Sequence, residues 1–252
     1  MRYWILILLN CISLAGAMKG LAQPNPEIDK VIAVMKELQT AYARKPVAFD
    51  IKYTYSNERS PEVILDSLHG KMEISGTDSR CLLANTETIH NSRYTILLFR
   101  EDKIMYLAKG DSAGHGMTDP LQLVKTVLEK AGIASCEIAD SSRFKMVRMR
   151  FRLGAPFRQM EMAVDTTTGH LSRMRYVVKT ALLTGNTAGD ETLKAQGYDE
   201  YAIVQAFFDH YRGISPDPAR FNEQAFFYRE GNDFKVTQAY QDYKIFIGSP
   251  NL

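Results

Sequence analysis

The sequence predicts an α+β fold: a curled, incomplete antiparallel β-barrel covered by two helices. Three observations predict it. Two stretches repeat their apolar residues at three- and four-residue steps, and about ten shorter ones alternate at a period of two. Short turn signals, rather than helix-length crossovers, join most successive stretches, so neighbours in sequence pair antiparallel. No internal repeat, interdomain linker or low-complexity tract interrupts the pattern.

Residues 1–22 are expected to be an export signal. Arg2 gives a positive start, Ile5 to Met18 is an apolar run, and Gly20-Leu21-Ala22 offers small residues for cleavage before Gln23. Ala15-Gly16-Ala17 is a second small-residue site. The run, broken by Asn10 and Ser13, is short for a membrane span, and Cys11 stands in the wrong context for a lipid-bearing cysteine. The remainder, 23–252, reads as a single domain with an extended C-terminal part over 184–252.

The first mature element is a helix from Pro26 to Arg44. Asn25 can cap it, and Ile28, Val31, Ile32, Met35, Leu38 and Tyr42 form its stripe. Pro46 disfavours helix at Lys45 and ends it. Val47, Phe49, Ile51, Tyr53 and Tyr55 then alternate as a half-buried strand, and weaker strands follow at 70–75 and 80–85. Strands 94–99 and 103–108 flank a tight turn at Arg100-Glu101-Asp102. Asp119 and Pro120 open a second helix with Leu121, Val124, Val127 and Leu128 on its stripe, which Gly132 stops.

The clearest alternation comes next. Val147, Met149, Phe151 and Leu153 face one way; Arg148, Arg150 and Arg152 face the other. Met160, Met162 and Val164 answer them after a turn, with Glu161 and Asp165 on the charged side, and Met174, Tyr176 and Val178 continue the apolar face beyond Asp165–Gly169. Residues 184–197 read as an exposed loop. Strand character returns at 201–211, Ser215–Pro218 begins a turn, and two further strands bracket Glu230–Asp233 before 240–247 closes the chain.

Charge excludes one class of partner. The chain holds 31 Lys and Arg against 29 Asp and Glu. Arg2 and Lys19 lie in the signal, so the mature balance is neutral, with no global electrostatic case for nucleic acid. Cys81 and Cys136 remain after cleavage; an export compartment permits a disulfide between them, and two buried thiols fit equally well. No Cys or His spacing suits a metal, no phosphate loop or dinucleotide fingerprint occurs, and no cofactor is expected.

Gly110-Asp111-Ser112-Ala113-Gly114 fits the nucleophile-elbow string of serine esterases. The elbow needs a helix directly after the serine, and the glycines and proline to Pro120 deny one. A glycine-rich connection is the plainer reading, and Ser112 esterase chemistry stands third among the functions weighed.

Nine basic residues against two acidic ones fall between Arg143 and Lys179. Arg148, Arg150 and Arg152 form a candidate docking face for an acidic partner or anionic head groups, against the plainer reading of a solvated sheet face. Behind them, Met146, Met149, Met160, Met162 and Met174 crowd into 29 residues. Unbranched thioethers suit loose core filling and a pocket for flexible acyl chains alike.

The order of elements resembles the LolA/LolB-like superfamily of periplasmic lipoprotein carriers. Val47-Ala48-Phe49-Asp50-Ile51 follows the first helix as the family's first strand does. Gly70-Lys71-Met72-Glu73-Ile74 is similar to its second strand, Arg80-Cys81-Leu82 to its arginine-bearing third, and Glu101–Tyr106 stands at the place of its Asp-Gly-Lys hairpin. The chain lacks a Lys-Arg-Pro signature before Arg80, a glycine at 102 and any mature tryptophan. The resemblance implies an incomplete barrel around an apolar cavity, with helices 26–44 and 119–131 as lids. It further implies that Arg80 hydrogen-bonds the closed lid.

The expected function is a periplasmic, non-enzymatic carrier or binding protein for a lipid or an acylated lipoprotein. Phe49, Tyr53, Met72, Met149, Phe151, Met160, Met162, Met174 and Tyr176 are its expected acyl-chain contacts. The alternative is a structural or accessory protein of an envelope assembly, with a filled interior and an envelope protein partner. There the aromatics Phe207, Phe208, Tyr211, Phe221, Phe226, Phe227 and Tyr228 would form the interface. No transmembrane segment is expected in the mature chain.

Overall fold

A computed structural model describes residues 26–110, 132–184, 190–215, 217–249 and 252. The export signal, the Ser112 string beyond Gly110 and the second helix lie outside the described residues. The opening helix, α1, runs Pro26–Arg44 as expected. Val31, Val34, Met35, Leu38 and Tyr42 are buried, whereas Ile32 is exposed, so the stripe runs through Val34 rather than Ile32.

Strands β1 (Val47–Asn57), β2 (Ile64–Ser75), β3 (Asp78–Leu83), β4 (Thr86–His90), β5 (Tyr94–Phe99) and β6 (Ile104–Lys109) follow. After the undescribed stretch come β7 (Ile133–Asp140), β8 (Phe144–Phe151), β9 (Phe157–Asp165) and β10 (Leu171–Lys179), then short helices α2 (Thr180–Thr184) and α3 (Asp190–Ala195). The chain ends with β11 (Tyr201–Gly213), the hairpin β12 (Phe227–Glu230) and β13 (Asp233–Val236), and β14 (Lys244–Ile247). Twelve strands follow one hydrogen-bonded order, β14-β6-β5-β4-β3-β2-β1-β11-β10-β9-β8-β7, whose ends stay unpaired with each other, so the sheet is unclosed. β14 lies parallel to β6, a departure from the antiparallel expectation that the long stretch of chain between them allows. The expected loop at 184–197 contains the last residue of α2 and all of α3, and Leu193 anchors α3 by burial.

The chain divides into two compact units. The first holds the described residues up to Ala41, Lys52–Leu68 and Leu123–Asp209; the second holds Tyr42–Ile51, His69–Gln122 and His210–Leu252.

In the first unit, β7 to β11 form an antiparallel meander. The β9–β10 turn is built on Asp165, whose carboxylate accepts from the Thr167 and Thr168 amides at 2.9 and 3.1 Å and from Arg143 Nε at 3.0 Å. Gly169 closes it at φ 71°, a conformation that strains any residue with a Cβ, and such a Cβ would meet Ala41 of α1 at 3.4 Å. Lys145 on β8 donates to Glu37 on α1 at 3.0 Å.

In the second unit, Ile89, Ile96, Leu98, Met105 and Leu107 of β4–β6 pack with Phe226 and Phe227. Asn91 fixes the chain between them. Its Oδ1 accepts from the Arg93 and Tyr94 amides, and its Nδ2 donates to the Phe221 carbonyl and to Glu223, both at 2.9 Å. Glu223, itself buried, also pairs with Arg93. Thus most of the C-terminal aromatics assigned to an interface are core: Phe208, Phe221, Phe226 and Phe227 are buried, and only Tyr228 stands out at 50% exposure. Their size makes burial the larger gain.

Candidate functional site

Strand registers in the first unit sort the expected ligand contacts onto one face. Met149 of β8 lies opposite Met160 of β9, which lies opposite Tyr176 of β10. The next row is Val147, Met162 and Met174. Because cross-strand partners share a face, these rows place four methionines side by side. Met149, Met160, Met162 and Met174 are each 0% exposed. Phe151, Phe157 and Tyr176 line the same face, with successive ring centroids 6.1 and 6.4 Å apart.

A polar hydroxyl sits inside this apolar surface. Tyr176 donates to the Met174 sulfur at 3.2 Å. Burial, with a smaller contribution from Tyr53, raises its phenol well above the usual tyrosine range, so the ring is neutral. The face is apolar and uncharged, and apart from Val147 its two rows carry side chains unbranched at Cβ, a surface that reshapes at low cost.

Not every expected contact joins it. Tyr53 is half-buried in the first unit, close enough to influence Tyr176. Phe49 and Met72 belong to the second unit. Phe49 packs between Tyr42 and Tyr211 at centroid distances of 5.9 and 4.7 Å, and the two tyrosine hydroxyls share a hydrogen bond of 2.8 Å. Met72 lies opposite Cys81 in the β2–β3 ladder. Cys136, by contrast, extends the Met149–Met160 row on β7. The period-two pattern does not reveal it, because Cys136 stands among Ala and Ser in a strand of weak hydrophobic contrast.

Cys81 and Cys136 are not joined. Cys81 is 4% exposed inside the β2–β4 ladder of the second unit, and its burial pushes the thiol up to about 12; Cys136 sits on the end strand of the first. Arg80 has a partner other than a lid. Its Nε donates to Glu87 at 2.5 Å, and Arg100 holds the other carboxylate oxygen, with Nε at 3.1 Å. Glu87 is 1% exposed on the core face of β4, so the two guanidiniums compensate a carboxylate that would otherwise be stranded. Arg80 thereby helps hold a buried carboxylate of the second unit, and the helix expected over 119–131 lies outside the described residues.

The opposite face of β8 carries the arginines. Arg148 lies between Glu137 at 3.6 Å and Glu161 at 3.5 Å, a cross-strand charge ladder. Arg150 and Arg152 are exposed. Ser112 lies outside the described residues.

No family model matches the sequence. No curated protein matches it either. Among solved structures, the chain is similar to an uncharacterized conserved protein from Thermus thermophilus, at 6% identity and TM-score 0.48 over 87% of this chain and 99% of that one. It is similar to a LolA superfamily protein from Nitrosomonas europaea, at 4% identity and TM-score 0.36 over 77% and 97%. It is also similar to a chain of the Pseudomonas aeruginosa MucA/MucB complex, at 11% identity and TM-score 0.39 over 82% of this chain and 63% of that one. LolA-superfamily structures thus stand among those this chain is similar to. Among the described residues, no helix is long and apolar enough to cross a membrane.

Proposed function

We propose that this chain is a non-enzymatic carrier or binding protein of the cell envelope, taking the acyl chains of a lipid or an acylated lipoprotein on the methionine face of β8–β10. The observation that carries the reading is the pair of cross-strand rows that bring Met149, Met160, Met162 and Met174 together with Tyr176. A core that only had to be filled is served better by branched aliphatics, which lose less entropy and fix one packing. Four adjacent thioethers give that rigidity away and gain adaptability.

The described conformation is a closed one, since no solvent reaches the four methionines. An acyl chain enters by exchanging side-chain contacts for ligand contacts, so uptake and release differ by a small free energy. Burying even part of an acyl chain at ~25 cal/mol per Å² supplies several kcal/mol, enough to offset the rearrangement. Residues 1–22 would deliver the protein to the periplasm, where such cargo crosses water.

The same full burial favours a second reading, an envelope accessory protein with a filled interior. Native mass spectrometry of protein purified from the export compartment separates the two. The carrier reading expects a population with added mass that organic extraction removes and identifies as lipid or acylated peptide. A single species at the mass of the bare chain, unchanged after incubation with long-chain fatty acid, overturns it.

A further inference from the structure

We propose that the β8–β9 hairpin of the first unit docks on an anionic phospholipid surface, inserting Leu153 and laying the neighbouring arginines against the head groups. Leu153 is the extreme of exposure among the large apolar side chains described, at 106%. It stands on a tight turn in which the Ala155 amide donates to the Arg152 carbonyl at 3.1 Å and Gly154 adopts φ 87°. A lone exposed leucine on a protein surface is unremarkable. What surrounds this one decides the matter.

Arg150 and Arg152 precede it in the chain and are exposed. Arg173 and Arg175 of β10 lie on the same sheet face, because Arg175 pairs across Glu161 with Arg148 and Arg173 pairs across Ala163 with Met146. Arg148 is balanced by Glu137 and Glu161, and Arg158 by Glu58 at 2.6 Å. Among the described residues, no carboxylate comes within ion-pair distance of Arg150, Arg152, Arg173 or Arg175. The face therefore keeps a surplus of positive charge, and Leu153 protrudes from the turn just beyond the end of β8, next to Arg150 and Arg152 in the chain.

A bilayer with anionic lipids matches both features at once. It offers a plane of phosphates, each basic residue near it adding about fivefold to affinity, and a deformable apolar layer beneath for a single leucine. A folded acidic partner would need a shaped pocket for Leu153 and separately placed carboxylates. The docking surface consists of the β8–β9 turn and the arginine face of β8–β10, and is independent of whether the methionine face takes acyl chains.

Sedimentation of the full chain with vesicles tests it. The protein is expected to pellet with phosphatidylglycerol–phosphatidylethanolamine vesicles and not with phosphatidylcholine vesicles, and added salt is expected to release it. Leu153→Asp and the pair Arg150→Glu with Arg152→Glu are each expected to weaken binding by about tenfold or more, with unchanged thermal melting. If a variant melts early, Leu153→Ser and Arg150→Gln with Arg152→Gln replace it. Equal binding to both vesicle types, or variants that bind as the parent does, overturns the proposal. Retention on polyglutamate without vesicle binding also overturns it, in favour of an acidic protein partner.

Discussion

Glu87 is a buried carboxylate on an otherwise apolar strand face, and Arg80 and Arg100 are what make it tolerable. Both arginines are partly exposed, so water screens part of the cost of separating them from it. Glu87→Gln keeps the shape but removes the charge, and is expected to cost about 2 kcal/mol in urea unfolding. Acid acts on two other groups. Arg143 first, then the turn amides, hold the Asp165 carboxyl below the usual range, so its contribution is present above the unfolded pKa and is lost as pH falls through the lower folded value. Burial lowers the His170 imidazole below 6.5 despite the opposing pull of Asp165. Its folded state prefers the neutral ring, so stability declines below about pH 6.5 as the unfolded chain takes the proton first, and levels off below the folded value. Denaturation midpoints are therefore expected to fall from about pH 7 to about pH 5 and again below about pH 4. His170→Gln is expected to flatten the upper step and Arg143→Ala to diminish the lower one.

Elements show what a period of two can and cannot specify. Residues 147–153 and 160–164 alternate so strictly that their two faces, and hence the methionine rows, are legible in the sequence alone. Strand β4 is not, because Thr86-Glu87-Thr88 reads as polar; these residues are buried between β3 and β5, with Glu87 neutralised by arginines from the neighbouring strand and turn. Strand β7 escapes for the opposite reason. Ile133–Asp140 alternates weakly because an end strand buries little. The parallel docking of β14 on β6 is a long-range pairing for which local pattern carries no signal. Within the methionine face, Met160 is central, with neighbours Met149 and Tyr176 on both sides. Met160→Ala is expected to cost about 3 kcal/mol by leaving a cavity, and Met160→Leu under about 1.5 kcal/mol, in denaturant unfolding. If adaptability is what the thioethers supply, Met160→Leu weakens fatty-acid binding more than its small stability change accounts for.

At the scale of the whole molecule, the proposed function joins the expected export signal to the unclosed sheet and the soft buried face of β8–β10. Within the C-terminal extension, Phe226 and Phe227 help close the core of the second unit, with Phe234, Tyr240 and Tyr243 packed against them. The proposed function places an acyl chain on the face of β8–β10. The direct measurement is photo-crosslinking with a diazirine-bearing long-chain fatty acid, followed by peptide mapping. An acyl chain on this face gives adducts on peptides carrying Met149, Met160, Met162, Met174 or Tyr176, competed away by unlabelled fatty acid and diminished in Met160→Leu. Adducts confined to other segments, or none under saturating probe, would contradict it.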